Sequence, residues 1–232
     1  MSSFTFKQFH INQQHCAMKV GTDGILLGAW ADVSDCQRIL DMGTGTGLVA
    51  LMLAQRSHEH CQIEAVELDP LAAQQAQENF KASLWHNRLH LTHQDVQTYC
   101  QQTAHQFDLI VANPPYFSQG VECKNDERAL ARYVQQSHLD WLNWAMSCLS
   151  EKGKISFVLP YEAGKTLINS TALYCIKQTD VITKIGKNPQ RMLLTFSREH
   201  LPQVKDSLVI YDENNQYTEE FIALTKAFYL KM

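Results

Sequence analysis

Ile39-Leu40-Asp41-Met42-Gly43-Thr44-Gly45-Thr46-Gly47 runs from an apolar strand through a glycine-rich turn into a helix whose apolar positions are Leu48, Val49, Leu51 and Met52. Glycines in such a turn let the backbone approach a ligand closely. The G-x-G-x-G spacing departs from the dinucleotide fingerprint G-x-G-x-x-G, and no Gly-Lys-Ser/Thr follows, so pyrophosphate binding is the weaker reading. Downstream, Ile63-Glu64-Ala65-Val66-Glu67-Leu68-Asp69-Pro70 reads as a second strand. Its Glu67 is placed to bond a ribose diol, a use that NAD would share. A third strand, Leu89 to Thr92, leads to Asp95, a carboxylate placed to accept from an adenine amine. Taken singly, each acid also fits a solvated loop or a helix N-cap, and Asp69 before Pro70 has the form of a cap.

The apolar run Phe107-Asp108-Leu109-Ile110-Val111-Ala112 ends in Asn113-Pro114-Pro115-Tyr116. Proline has a fixed φ and no N–H, and it pushes the preceding residue out of the helical region. Asn113 and Pro114 are therefore extended, with the Asn113 side-chain oxygen and the Pro114 carbonyl as two fixed acceptors. The amino group of an adenine is planar and poorly nucleophilic; two acceptors holding its hydrogens draw the nitrogen toward tetrahedral geometry and free the lone pair. Tyr116 offers a face on which a splayed-out base stacks. The plainer alternative is a Pro-Pro turn that merely ends a strand. Between Asp41 and Asn113 there is room for two βα units and a short third helix. Strands one and four then flank the switch point of a doubly wound sheet, where such sheets bind ligands beyond the carboxyl ends of their strands.

These motifs, in this order, resemble those of class I S-adenosylmethionine-dependent methyltransferases of the Asn-Pro-Pro-Tyr group, and within it the bacterial valine-tRNA adenine-N6-methyltransferase family. The resemblance extends through Lys7 to Phe9, Cys16 to Trp30, Asp41 to Gly47, Asn113 to Gly120, Arg128 to Tyr133 and Phe228 to Met232. It implies a Rossmann-like α/β fold: a doubly wound, mostly parallel seven-stranded sheet with an antiparallel strand near the C-terminal end. Residues 1–232 would form one domain, with 1–37 packing over the cofactor and 38–232 as the core. It implies S-adenosylmethionine as cofactor, held by Thr22, Asp23, Asp41, Gly43, Gly45, Gly47, Glu67, Asp95 and Asn113, with Thr22 and Asp23 at its methionine half. Asn113, Pro114 and Tyr116 are the implied catalytic residues, and the implied substrate is the adenosine 3′ of the anticodon in valine tRNA. Transfer is then a direct displacement without metal, covalent intermediate or general base.

Composition is consistent with one enzyme domain: 232 residues, no apolar run of membrane-spanning length and no signal peptide, which together point to the cytoplasm; a monomer is expected. The seven cysteines, Cys16, Cys36, Cys61, Cys100, Cys123, Cys148 and Cys175, are odd in number and never closer than 20 residues, which suits neither a zinc ribbon nor a disulfide framework. His58 with His60, and His90 with His93, lack a cysteine or carboxylate pattern, so no metal is expected. A net charge of −4 does not exclude RNA, because phosphate affinity depends on where the cations lie. Lys124, Arg128 and Arg132 recur at steps of four, aligned on one helical face for phosphate contact or for simple solvation. Lys184, Lys187 and Arg191 form a second basic group around a Gly186-Lys187-Asn188-Pro189 turn.

The remainder reads as scaffold. His138 to Leu149 carries a helical stripe at Leu139, Leu142, Met146 and Leu149; Lys154 to Leu159 reads as a strand; Trp141 and Trp144 read as core or groove aromatics. Tyr174 to Ile185 and Arg191 to Ser197 read as an antiparallel pair to which Ser207 to Tyr211 adds, and Thr218 caps a helix turning Phe221, Leu224 and Phe228 inward. Three rival functions follow from the same motifs. A release-factor glutamine methyltransferase carries a helical domain ahead of its glycine turn, for which about forty residues leave too little room. A DNA adenine methyltransferase needs a base-reading domain. A non-catalytic nucleotide-binding scaffold is expected to have lost the tetrapeptide or the acids, and this chain keeps them.

Overall fold

The computed structural model describes residues 3–14, 19–115 and 137–231. In chain order, an antiparallel pair, β1 (Ser3–Thr5) and β2 (His10–Asn12), precedes helix α1 (Thr22–Trp30). Alternating units follow: β3 (Arg38–Met42), α2 (Leu48–Arg56), β4 (Gln62–Glu67), α3 (Pro70–Lys81), β5 (Leu89–His93), α4 (Val96–Gln102) and β6 (Phe107–Ala112). The later elements are α5 (His138–Ser147), β7 (Leu149–Pro160), α6 (Tyr161–Ser170), β8 (Tyr174–Lys184), β9 (Arg191–Ser197), β10 (Val204–Tyr211) and α7 (Glu219–Thr225).

The main sheet has the order β10-β8-β9-β7-β6-β3-β4-β5. Its central strands are apolar on both faces, as strands covered by helices on both sides must be. Ile39, Leu109 and Val111 enter the layer beneath α1, α2 and α3, while Leu40, Met42, Ile110 and Ala112 enter the layer beneath α4, α5 and α6. From β3 the chain steps outward through β4 to β5, then returns to lay β6 on the other side of β3, with Asp41 opposite Val111 and Met42 opposite Ala112. That reversal is the switch point. At its amino end Asp108 Oδ2 accepts from the backbone N–H groups of Gln37 and Arg38 at 2.9 and 3.0 Å, clamping β6 to the start of β3.

The expected seven strands are eight: Val204–Tyr211 forms a full parallel edge strand on β8, leaving β9 as the antiparallel member of the sheet. Alternation in this segment is weak, because four exposed residues, Val204 to Ser207, open the strand. The stripe ending at Leu149 also divides differently. A capping box of Ser137 and Asp140 starts α5, the helix ends at Ser147, and Leu149 opens β7. Likewise α7, capped by Thr218, stops at Thr225, and buried Phe228 follows it. Among the described residues of the N-terminal segment, α1 packs on the helix that follows the glycine turn, its Gly24 against Leu48 and its Gly28 against Met52 of α2. The β1–β2 pair instead lies against α3 and the chain end, through Asn12 with Asn79 and Lys7 N–H with the Phe228 carbonyl.

Candidate active site

Asp41 ends β3 with a buried carboxylate whose Oδ2 accepts from Thr44 Oγ1 at 2.6 Å and from the Ala50 N–H at 3.1 Å. Burial raises its pKa to about 7. It lies beneath the turn and ties it to the first turn of α2. Gly43 and Thr44 donate their N–H groups to the Val66 carbonyl of β4. At Gly47, φ is +83° and a Cβ would stand 2.5 Å from the Phe80 ring, so only glycine lets α2 begin against α3. At Gly45, φ is +57° and nothing lies within 4 Å of a Cβ position; there the backbone faces open space that a ligand can enter.

Glu67 ends β4 and reaches across to the turn: Oε2 accepts from the Gly45 N–H at 2.8 Å and Oε1 from the Asp69 N–H at 2.9 Å. Burial raises its pKa despite these bonds. Asp69 caps α3 through the Ala72 N–H, with Pro70 as the first helical residue. Asp95 is also an N-cap, its Oδ1 accepting from the Thr98 N–H and hydroxyl, and it stands beyond β5 beside the Glu67 strand end. Glycine turn, Glu67 and Asp95 thus line consecutive strand ends, as expected for one elongated ligand.

Asn113 follows β6, next to β3. Its Oδ1 is buried and has no hydrogen-bond partner among the described residues. Pro114 is buried and Pro115 half-buried. Two residues of α5 support this corner and were missed by sequence reasoning. The His138 ring donates to the Pro115 carbonyl, while burial lowers its pKa. The fully buried Trp141 packs its ring 3.0 Å from where a Gly43 Cβ would be. One helix therefore braces both the glycine turn and the Asn-Pro-Pro segment. The capping box at Ser137 was the available signal for where α5 starts, but nothing in the spacing revealed what its first turn touches.

Tyr116, Lys124, Arg128 and Arg132 lie outside the described residues. Thr22 opens α1, and Asp23 beside it pairs with Arg191 Nε at 2.9 Å. A residue expected at the cofactor and one expected at the RNA are thus partners in one half-buried ion pair. Lys184 donates to Asn215 Oδ1 at 2.7 Å, and Lys187 is exposed on the β8–β9 connection.

A doubly wound sheet with an open glycine turn, an acid on the next strand and an amide oxygen at the switch point without a partner among the described residues fits a methyltransferase of Rossmann-like fold. Residues 18–165 match the methyltransferase small domain family. A protein of Haemophilus influenzae strain PittEE named tRNA1(Val) (adenine(37)-N6)-methyltransferase is 71% identical over 231 residues, covering 100% of both chains. One of the same name from Pasteurella multocida is 62% identical over 99% of this chain and 97% of its own. The chain belongs to the family of these tRNA1(Val) (adenine(37)-N6)-methyltransferases. A solved predicted O-methyltransferase of Agrobacterium tumefaciens shares the fold, with a TM-score of 0.70 at 19% identity over 89% of this chain and 96% of that one.

Proposed function

We propose that the chain transfers a methyl group to the exocyclic N6 amine of an adenosine beside the anticodon of valine tRNA, with S-adenosylmethionine as donor. The observation that carries this reading is Asn113 Oδ1, a buried acceptor without a partner among the described residues, at the switch point beside the glycine turn. Buried polar atoms are almost always paired, and an unpaired one calls for a partner, which a ligand donor would supply here. Relatives of this name at 58–71% identity support the tRNA substrate.

The residues suit the cofactor. Gly45 leaves room for close approach, Glu67 provides carboxylate oxygens for a ribose diol, Asp95 an acceptor for an adenine amine, and Thr22 and Asp23 polar groups for a zwitterionic amino acid. When bound, S-adenosylmethionine supplies an electrophilic methyl on a sulfonium sulfur. Asn113 Oδ1 and the Pro114 carbonyl accept the two hydrogens of the target amine, localising its lone pair. Catalysis is then positioning by fixed dipoles, since neither acceptor reorganises during the reaction. The bond from nitrogen to the methyl carbon would form as the carbon–sulfur bond breaks, and the nitrogen, its basicity raised, would then lose a proton to solvent. His138 holds the Pro115 peptide and thereby the aim of both acceptors.

Incubation with labelled cofactor and tRNA from cells lacking the gene, followed by nucleoside analysis, tests the proposal. The expected product is N6-methyladenosine in valine tRNA. Label on release-factor glutamine, with none in tRNA, would overturn it.

A further inference from the structure

A cavity of about 410 Å³ opens on the same rim, beyond β7; it shares Thr22 and Asp23 with the proposed cofactor residues, and its remaining lining takes no part in the chemistry described above. Its volume lies within the roughly 300–1,000 Å³ of small-molecule sites. Asp23, Thr183, Arg191, Tyr211, Tyr217 and Tyr229 line it, from the start of α1, the ends of β8 and β10, the start of β9 and the C-terminal segment. Arg191 pairs in register with Pro160 at the end of β7, which neighbours β6. At about 4.8 Å per strand, the cavity spans roughly 10–20 Å along the rim from the Asn113 strand. Tyr211, on β10, is five strands from the glycine turn, outside the cofactor half of the sheet.

The lining has the chemistry of a base site. Tyr211 and Tyr217 stack with centroids 4.9 Å apart and an interplanar angle of 22°, and Phe221 lies tilted by 31° with its centroid 4.9 Å from that of Tyr217. Tyr217 keeps 37% of its surface exposed. The same lining includes the Arg191 guanidinium, oriented by Asp23, and the exposed Gln190 amide, so planar aromatic side chains and edge-reading polar groups share one cavity. Lys187 stands on the β8–β9 turn, where Gly186 has φ +78°. Asp212, Glu213, Glu219 and Glu220 follow Tyr211 in the chain, the first two on a loop that Lys184, at the end of β8, holds through Asn215.

We infer that this cavity is a second nucleotide site, taking an unstacked base of the substrate RNA that flanks the methylated adenosine. The inference rests on the RNA reading of Proposed function. It explains how an anticodon loop is opened: a base bound here is withdrawn from the loop stack while the target adenosine enters at Asn113. Aromatic stacking of one base is sequence-tolerant and contributes binding, whereas Arg191 and Gln190 give it a preference among bases.

Two variants of the full chain test it: Tyr217→Ala removes part of the aromatic wall, and Thr183→Trp fills the cavity from an exposed strand end. Binding to tRNA is read by fluorescence anisotropy, S-adenosylmethionine affinity by calorimetry, and folding by thermal melting. The expected result is tRNA affinity lower by about tenfold in each, on the scale of losing one stacked base, with cofactor affinity unchanged. If Tyr217→Ala unfolds, Thr183→Trp decides. Folded variants that bind tRNA as tightly as the unmodified protein overturn the second site and leave the methylation reading intact. Parallel loss of tRNA and cofactor affinity also overturns it, by making the cavity part of the cofactor site. Unmodified protein that neither binds nor methylates tRNA removes both readings.

Discussion

Burying an amide oxygen without a partner costs a fold about 1–3 kcal/mol, and Asn113 Oδ1 has none among the described residues. A residue kept for folding would not be held this way, so Asn113→Ala separates function from stability. Methyl transfer should slow by roughly 100-fold or more, cofactor affinity should hold, and the melting temperature should not fall; a stable variant with native turnover would refute the role. Asp41 lies on the opposite side of this divide. Its carboxyl titrates at about 7 in the fold, above its ordinary 3.8, so the native state holds the proton more tightly than the unfolded chain does. The associated stability is present below about pH 4 and lost as pH rises through about 7, on the order of 4 kcal/mol at most. Asp41→Asn keeps an acceptor for Thr44 and Ala50. Its stability should therefore vary less between pH 4 and 7 in denaturant titrations, the remaining slope coming from Glu67, which burial shifts the same way. Both residues could be singled out in the sequence because the tetrapeptide and the glycine turn are local patterns. That Asp41 works beneath the turn was not legible, because sequence spacing does not reveal which oxygen is already bonded.

At the scale of elements, the βα alternation, the Asp69 cap and the β8–β9 pair were legible because periodicity and turn residues are short-range signals. The exposed first half of the edge strand β10, Val204 to Asp206, and the bracing by α5 were not. The first alternates poorly, and the second depends on contacts that cross from β3 and β6 to a helix far along the chain. The same packing makes the glycine turn intolerant. A methyl at Gly47 combines a left-handed φ of +83° with a 2.5 Å approach to Phe80, which is buried in the layer that α2 and α3 share. Gly47→Ala should cost about 1–2 kcal/mol for the backbone alone, and more for the displaced ring. Because the shift moves the start of α2, cofactor affinity should fall with stability, measured by calorimetry and chemical denaturation. Gly45→Ala, with open space on its Cβ side, should lose less stability while weakening the cofactor as much. Equal stability losses in the two variants would show that the turn is not divided into a packed side and a ligand side.

The molecule as a whole carries a net charge of −4, so any grip on RNA depends on where its few cations stand. Two groups were visible in the sequence, and the structure changes their standing. Arg191 is paired with Asp23 and Lys184 is tethered to Asn215, whereas Lys187 is exposed on its turn. The second group, Lys124, Arg128 and Arg132, lies outside the described residues but follows Asn113-Pro114-Pro115-Tyr116 directly in the chain. Each phosphate contact releases counterions, so losing one lowers the slope of log affinity against log salt by about one unit, and by somewhat less on single-stranded RNA. A cation already neutralised by a carboxylate releases little. Arg128→Glu with Arg132→Glu should therefore flatten the salt dependence of tRNA binding by roughly two units, and Lys187→Glu by about one. Arg191→Gln, whose charge is matched by Asp23, should change the slope least even where it lowers affinity. Binding isotherms at several salt concentrations, with cofactor affinity as the control for folding, separate these outcomes. A slope that is unchanged in the double variant and in Lys187→Glu alike would mean that neither group touches phosphate.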